Sequence, residues 1–237
     1  MNMKIDTDRV KKKEFTSAIT SSEQKHSHEY RVLAVLRYLY PEKFSTMVKR
    51  DSPDLQDGAN GIGIEVVSAV KDSDMRAARA FSEVCQAEND IDERSRKRIE
   101  TSDYSIIPIL GNRNFICTTG TAEGEKAVFQ KAIIKKLKNI DRYKSNFNQI
   151  GLAVVLPDPP TSYAEDHFSE WLFEVVPKNK IFFNFVYILA YRFCILIDVQ
   201  NKGITKQEIS REVSLALSKI ARMTAEGDLS LTDQEWL

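Results

Sequence analysis

The sequence predicts an α/β fold, a mixed β-sheet flanked by helices. Three observations carry that reading. Residues 149–156, 181–189 and 193–199 are apolar and rich in β-branched and aromatic side chains, the composition of buried strands. Amphipathic helical stretches lie between the extended ones, so the elements alternate rather than cluster by type. Gln56-Asp57-Gly58-Ala59-Asn60-Gly61 combines an Asp-Gly and an Asn-Gly turn signal between two short extended pieces, the mark of a hairpin. No repeat, heptad or linker interrupts the chain, which reads as an N-terminal arm over 1–25, one domain over 26–225 and a tail over 226–237.

Taken in order, residues 1–22 are polar and read as a short strand or a loosely held arm. His26 to Tyr40 is helical, with Val32, Leu33, Val35, Leu36, Leu39 and Tyr40 at helical spacing and Pro41 as its stop. Phe44 to Val48 and Ser52 to Leu55 are short extended pieces. Ile62 to Val70 is a strand. Asp74 to Ile99 is charged, contains neither Gly nor Pro, and reads as helix. Tyr104 to Leu110 and Asn114 to Thr118 are extended around Gly111-Asn112. A loop over Gly120 to Gly124 leads into an amphipathic helix, Glu125 to Asp141. Pro157-Asp158-Pro159-Pro160 ends the 149–156 strand abruptly, and a helix follows over Tyr163 to Phe173. Lys206 to Ala225 is expected as the last helix.

The run from Ile181 to Val199 is long enough to raise a membrane question. Asn184, Arg192 and Asp198 lie inside it, and a central arginine costs roughly 2.5 kcal/mol or more in lipid. Two strands broken at Tyr191-Arg192 fit better, so no membrane association is expected.

The chain of 237 residues carries 34 Lys plus Arg against 34 Asp plus Glu, a formal net charge of zero. Bulk charge therefore recruits neither nucleic acid nor membrane, although a basic groove balanced by acid elsewhere is compatible with it. Cys85, Cys117 and Cys194 are odd in number and far apart, which argues against a disulfide framework and a zinc site. The N-terminus is basic but has no apolar core of a signal peptide, so a reducing, cytoplasmic home is expected.

The chemistry concentrates around the hairpin, Asp51-Ser52-Pro53-Asp54-Leu55 followed by Gly61-Ile62-Gly63-Ile64-Glu65-Val66-Val67. Alternation places Ile62, Ile64 and Val66 on one face and Gly63, Glu65 and Val67 on the other. Glu65 is thus a carboxylate in the middle of an apolar strand, and a lone buried carboxylate must be paired or metal-bound. Asp54, on the adjacent strand, is its neighbour. Two carboxylates side by side repel unless a cation lies between them, and hard oxygen ligands without His or Cys fit Mg²⁺ or Mn²⁺.

Pro53-Asp54 and Glu65-Val66-Val67 in this setting resemble the PD-(D/E)xK nuclease superfamily, whose restriction-endonuclease-like fold places a helix with a Glu before such a hairpin and a crossover helix after it. The resemblance spans roughly residues 26 to 200 in element order, but the residue match is confined to a few positions. It implies Mg²⁺-dependent phosphodiester hydrolysis, with Asp54 and Glu65 as metal ligands and catalytic residues and Glu29 as a further ligand. Val67 stands where the family has its lysine. In the superfamily that lysine can be supplied from a helix. At about 100° per residue, Lys136 lies roughly 20° from Phe129, inside the stripe Phe129, Ile133, Leu137 and Ile140, whereas Lys135 lies roughly 120° away and should be solvated. Lys136 is therefore the candidate for the displaced lysine, against the plainer reading of a snorkelling side chain. Glu29 falls on the apolar face of the first helix with Val32, Leu33 and Leu36; a helix-dipole role is its plainer reading.

Other candidates point less far. His26 and His28 lack the i, i+4 spacing of a helical metal pair and read as a solvated helix start. Thr118 to Lys126 lacks the phosphate-loop pattern and reads as a capped helix start. Glu93 to Arg98 reads as a solvated charged face that could also meet phosphates. The functional expectation is a metal-dependent nuclease acting on nucleic acid, of bacterial or phage type. The alternatives are a degenerate nuclease fold that binds nucleic acid or a protein partner, and a structural domain whose Asp54 and Glu65 pair with a buried Arg or Lys. A homodimer is compatible with all three.

Overall fold

The computed structural model describes residues 19–86, 92–102, 104–109, 113–118, 121–144, 146–156, 159–176 and 182–228. A seven-stranded mixed sheet forms the centre, and helices cover both of its faces. Its strands are β1 (Val48–Lys49), β2 (Leu55–Asp57), β3 (Ile62–Ser68), β6 (Gln149–Val155), β7 (Phe185–Leu189), β8 (Phe193–Asp198) and β9 (Gly203–Glu208), neighbours in that order. β4 (Tyr104–Ile109) and β5 (Arg113–Thr118) form a separate two-stranded sheet. β3–β6 and β6–β7 are parallel, and the other pairs are antiparallel. The parallel centre explains the near-continuous apolar runs, since those strands are covered on both faces.

The helices are α1 (Ser21–Leu39), α2 (Pro41–Phe44), α3 (Asp72–Gln86), α4 (Glu93–Glu100), α5 (Ala122–Leu137), α6 (Ile140–Lys144), α7 (Ser162–Val175) and α8 (Arg211–Ala225). Val32, Leu33 and Leu36 of α1, Phe44 of α2 and Leu217 of α8 pack on the face carrying Ile62, Ile64 and Val66. Phe129 and Ile133 of α5 and Phe168 and Trp171 of α7 pack on the opposite face, over Leu152, Val154, Val186 and Ile188. Each such fully buried side chain stabilises the fold by roughly 1.5–3 kcal/mol relative to exposure.

Several expected boundaries shift, each for a local reason. The first helix starts at Ser21 rather than His26, because Thr20 accepts from the Glu23 backbone N–H while the Glu23 carboxylate accepts from the Thr20 N–H. Residues 21–25 therefore belong to the domain and not to an arm; 1–18 lie outside the described residues, as does the tail from 229 onward. Pro41 opens α2 at its first position rather than only closing the helix before it. The charged 74–99 stretch contains two helices, α3 and α4, the second capped by Asp92. The expected helix over Glu125 to Asp141 starts earlier, at Ala122 under a Thr121 cap, and gives way to α6 after Leu137.

Lys206 to Glu208, expected as helix, forms part of β9, and α8 starts only at Arg211 under a Ser210 cap. β9 is an edge strand with mostly exposed residues, so no burial pattern marks it in the sequence. The 181–199 stretch contains β7 and β8 as expected, with residue 181 outside the described residues. Among the described residues no helix is long and apolar enough to cross a membrane.

Candidate functional site

β2 and β3 are joined by the 58–61 turn. Gly61 adopts φ 63°, the left-handed region that glycine supplies without strain. Asp57, buried at the end of β2, accepts from Thr46 Oγ1 at 2.7 Å, the Asn60 N–H at 3.1 Å and Asn60 Nδ2 at 2.8 Å, which pins the turn. Leu55 pairs with Ile64 across the hairpin. Gly63 lets Pro53 lie against β3: a Cβ there would stand 2.6 Å from Pro53 Cγ.

That close approach places Asp54 beside β3. Its Oδ2 accepts the Val66 N–H at 2.8 Å, and its carbonyl accepts the Arg50 N–H at 2.9 Å. Asp54 and Glu65 are both buried, at 8% and 2% exposure. As alternation requires, Glu65 and Val67 lie on the α5 side, and Val67 packs against that core rather than offering a cation.

α5 supplies the cation. Phe129 and Ile133 bury the stripe, and one and two turns further on Lys136 runs along it with 17% of its side chain exposed. Its Nζ donates to Glu65 Oε2 and stands 3.4 Å from Asp54 Oδ2. Burial alone would lower the Lys136 pKa. The hydrogen bond to Glu65 and the Asp54 charge outweigh it and hold the ammonium above its ordinary value. Lys135, one residue earlier, is exposed. Tyr143, from α6, is the fourth member of the cluster. Burial and its hydrogen bond to Glu65 hold its phenol well above the usual tyrosine range. No helical period links it to Lys136, because the chain turns at 138–139 between α5 and α6.

Glu29 does not join this cluster. It lies on α1, which covers the other face of the sheet, and its partners come from its own side. Lys49 Nζ lies 3.2 Å from Oε2, His26 Nδ1 lies 3.0 Å from Oε2, and Lys25 Nζ lies 3.5 Å from Oε1. Burial would raise the Glu29 pKa, but hydrogen bonds from His26 and Lys49 hold it below its ordinary value.

The donor set can be weighed against a hard cation. Mg²⁺ is often held by one or two carboxylates with water and substrate phosphate filling the rest of its shell. Asp54 and Glu65 meet that requirement. They hold two negative charges against the single charge of Lys136, which leaves the cluster short of one positive charge. Among the described residues no group of three or more His, Cys, Asp or Glu could hold a metal, so they offer two carboxylates there and not three.

A cleft of about 560 Å³ opens between α1, the end of β3 and α5, lined by both Glu29 and Lys136. His28, expected as part of a solvated helix start, lies in its wall with Nδ1 2.6 Å from Ser68 Oγ. Burial, then the nearby Arg31 charge, pushes its pKa down to about 4, so the imidazole is neutral at pH 7. The pairing is 40 residues apart in the chain, and nothing local to α1 announces it. No protein-family model matches the chain, and neither a curated protein nor a solved structure does.

Proposed function

We propose that the chain is a metal-dependent phosphodiesterase of the PD-(D/E)xK type, with Asp54 and Glu65 holding Mg²⁺ or Mn²⁺ and Lys136 standing in for the lysine that Val67 displaces. The observation that carries this reading is the Lys136 ammonium, which crosses from α5 to contact both hairpin carboxylates. The order of helix, hairpin, crossover and parallel strands supports the restriction-endonuclease-like fold. A bound divalent ion would polarise a phosphodiester and lower the pKa of an attacking water. Asp54, fixed by the Val66 N–H, would offer the ion a carboxylate held in one orientation. Glu65 is held in line by Lys136 and Tyr143. Lys136 offers a fixed positive charge to the negative charge that grows on the phosphoryl oxygens.

A second reading, a degenerate nuclease fold that binds nucleic acid or a protein, has its own support. Lys136 already compensates part of the carboxylate charge, and Glu29 is fully engaged elsewhere. Calorimetry with Mn²⁺ and cleavage of plasmid DNA and single-stranded RNA with Mg²⁺ or Mn²⁺ separate the two. The nuclease reading expects cation binding that Asp54→Asn abolishes. It also expects cleavage that Lys136→Gln lowers by about 10²–10³, while Lys138→Gln on the exposed end of the same helix leaves it unchanged. A wild type that is inert on DNA and RNA, single- or double-stranded, with either metal gives the binding module.

A further inference from the structure

The cleft beside the carboxylate cluster is strongly basic in a chain whose net charge is zero. Lys25, Lys71, Lys131, Lys135 and Lys136 line it, against Glu29. Lys25 is engaged with Glu29, and Lys136 with Asp54 and Glu65. Lys131 and Lys135 are different: both are exposed, both belong to α5, and among the described residues neither holds an ion pair. They stand one turn apart on one helix face, where like charges destabilise a helix. An anionic ligand in the cleft relieves that repulsion. Four residues of α-helix rise about 6 Å, a spacing that suits two neighbouring anionic groups rather than one. The next lysine along the helix in the same cleft is Lys136, which touches the carboxylate pair.

The rest of the lining limits the shape of the ligand. Val66, Val67, Val70, Met75 and Val128 make an apolar wall alongside the lysines. A volume of about 560 Å³ lies within the roughly 300–1,000 Å³ of small-ligand sites. That volume is on the scale of a few nucleotide-sized groups. We infer that the cleft is a single-strand track, in which Lys131 and Lys135 take successive phosphates of one polynucleotide strand and lead the next toward Asp54, Glu65 and Lys136. The inference rests on the reading of that cluster as a phosphodiester site.

The test is equilibrium binding by fluorescence anisotropy on the full chain, with a labelled oligonucleotide and a metal chelator, so that neither metal nor cleavage enters. The wild type should bind the single strand more tightly than a duplex of the same length. Lys131→Glu with Lys135→Glu should weaken single-strand binding at least about tenfold. Each lost phosphate contact removes about 0.7 from the salt slope on single strands, so the slope should fall by about 1.4. Lys138→Glu, at the cap just past the end of α5 and outside the cleft lining, should change neither, and thermal unfolding checks that all variants fold. Binding that is unaffected by the double variant, equally affected by Lys138→Glu, equally tight for the duplex, or matched by poly-glutamate overturns the track. Absence of cleavage together with the expected binding pattern defeats the catalytic reading alone and leaves the track standing. Cleavage that survives the double variant at full rate defeats the track alone.

Discussion

Two buried acid clusters are built on helices that pack against opposite faces of the same sheet, and they are balanced in opposite senses. At the hairpin, Asp54 and Glu65 share one ammonium, Lys136, so two negative charges meet one positive. On α1, Glu29 alone faces Lys25, Lys49 and His26, so one negative charge meets two lysines and an imidazole. The first cluster keeps an excess of negative charge; the second keeps an excess of positive charge. The difference teaches that burial of a carboxylate does not by itself mark a ligand. Glu65 and Glu29 have the same exposure, 2%, and what separates them is the charge left over after their neighbours are counted. It also makes the hairpin cluster fragile, since one side chain serves both acids, while the Glu29 cluster is redundant.

The largest expected effect comes from breaking the shared cation. Lys136→Met keeps the length and apolar stem of the side chain and removes the charge. It leaves two nearly buried carboxylates facing each other, and removal of one partner of a buried pair costs about 3–5 kcal/mol. Urea unfolding at pH 7 should show a loss of that order. Adding Asp54→Asn and Glu65→Gln to Lys136→Met should recover most of it, because the buried charges are then gone. A loss below about 1 kcal/mol would mean that the carboxylates reach water or one another's protons, and the contrast between the clusters would collapse.

Much of the hairpin cluster was legible because it rests on two short-range periodicities. Strand alternation placed Glu65 opposite Ile64 and Val66, and the helical angle separated Lys136 from Lys135. Both hold in the structure. The Glu29 cluster was not legible in the same way. Glu29 was rightly placed on the buried face of α1, but which face of the sheet α1 covers is decided by long-range packing of Val32, Leu33 and Leu36 on Ile64 and Val66. Lys49 comes from the short strand β1, where no pattern predicts a partner. His28 was missed for the same reason, its partner Ser68 being at the far end of β3. The edge strand β9 escaped because its exposure removes the alternation that a half-buried strand would print in the sequence.

The wall between the two clusters supplies the next effect. His28 adjoins Glu29 in sequence and bonds Ser68, at the end of the strand that carries Glu65. Its native pKa is about 4, against 6.5 for a free imidazole. Below 6.5 the unfolded chain takes up a proton that the native imidazole refuses until about 4, so this stability is complete above 6.5 and is lost as pH falls toward 4. At 1.36 kcal/mol per pH unit, the loss is about 3 kcal/mol in all. Glu29, held below its ordinary value, keeps its contribution down to the carboxylate range and loses it only at lower pH. The interval from 6.5 to 4.5 therefore belongs to His28. His28→Gln, which can keep a hydrogen bond to Ser68, should flatten the urea midpoint across that interval. An unchanged slope would place the titration elsewhere.

The smallest effect tests redundancy on the Glu29 side. Lys25 is 68% exposed and its pairing with Glu29 is an i, i+4 contact, a class worth about 0.3–0.5 kcal/mol and weakened by salt. Lys49 is 18% exposed and stands 3.2 Å from Glu29, so it should matter more, yet Lys25 and His26 remain when it is gone. Lys25→Ala should therefore shift stability by less than about 0.5 kcal/mol and Lys49→Ala by about 1 kcal/mol. The two together should exceed the sum of the single changes, since only the imidazole then faces a buried carboxylate. Urea unfolding of the three variants reads this coupling directly. If Lys49→Ala alone costs as much as Lys136→Met, then Glu29 depends on one cation just as Asp54 and Glu65 do. The surplus of positive charge around Glu29 would in that case be formal only, and the reason given for its standing apart from a metal site would fail with it.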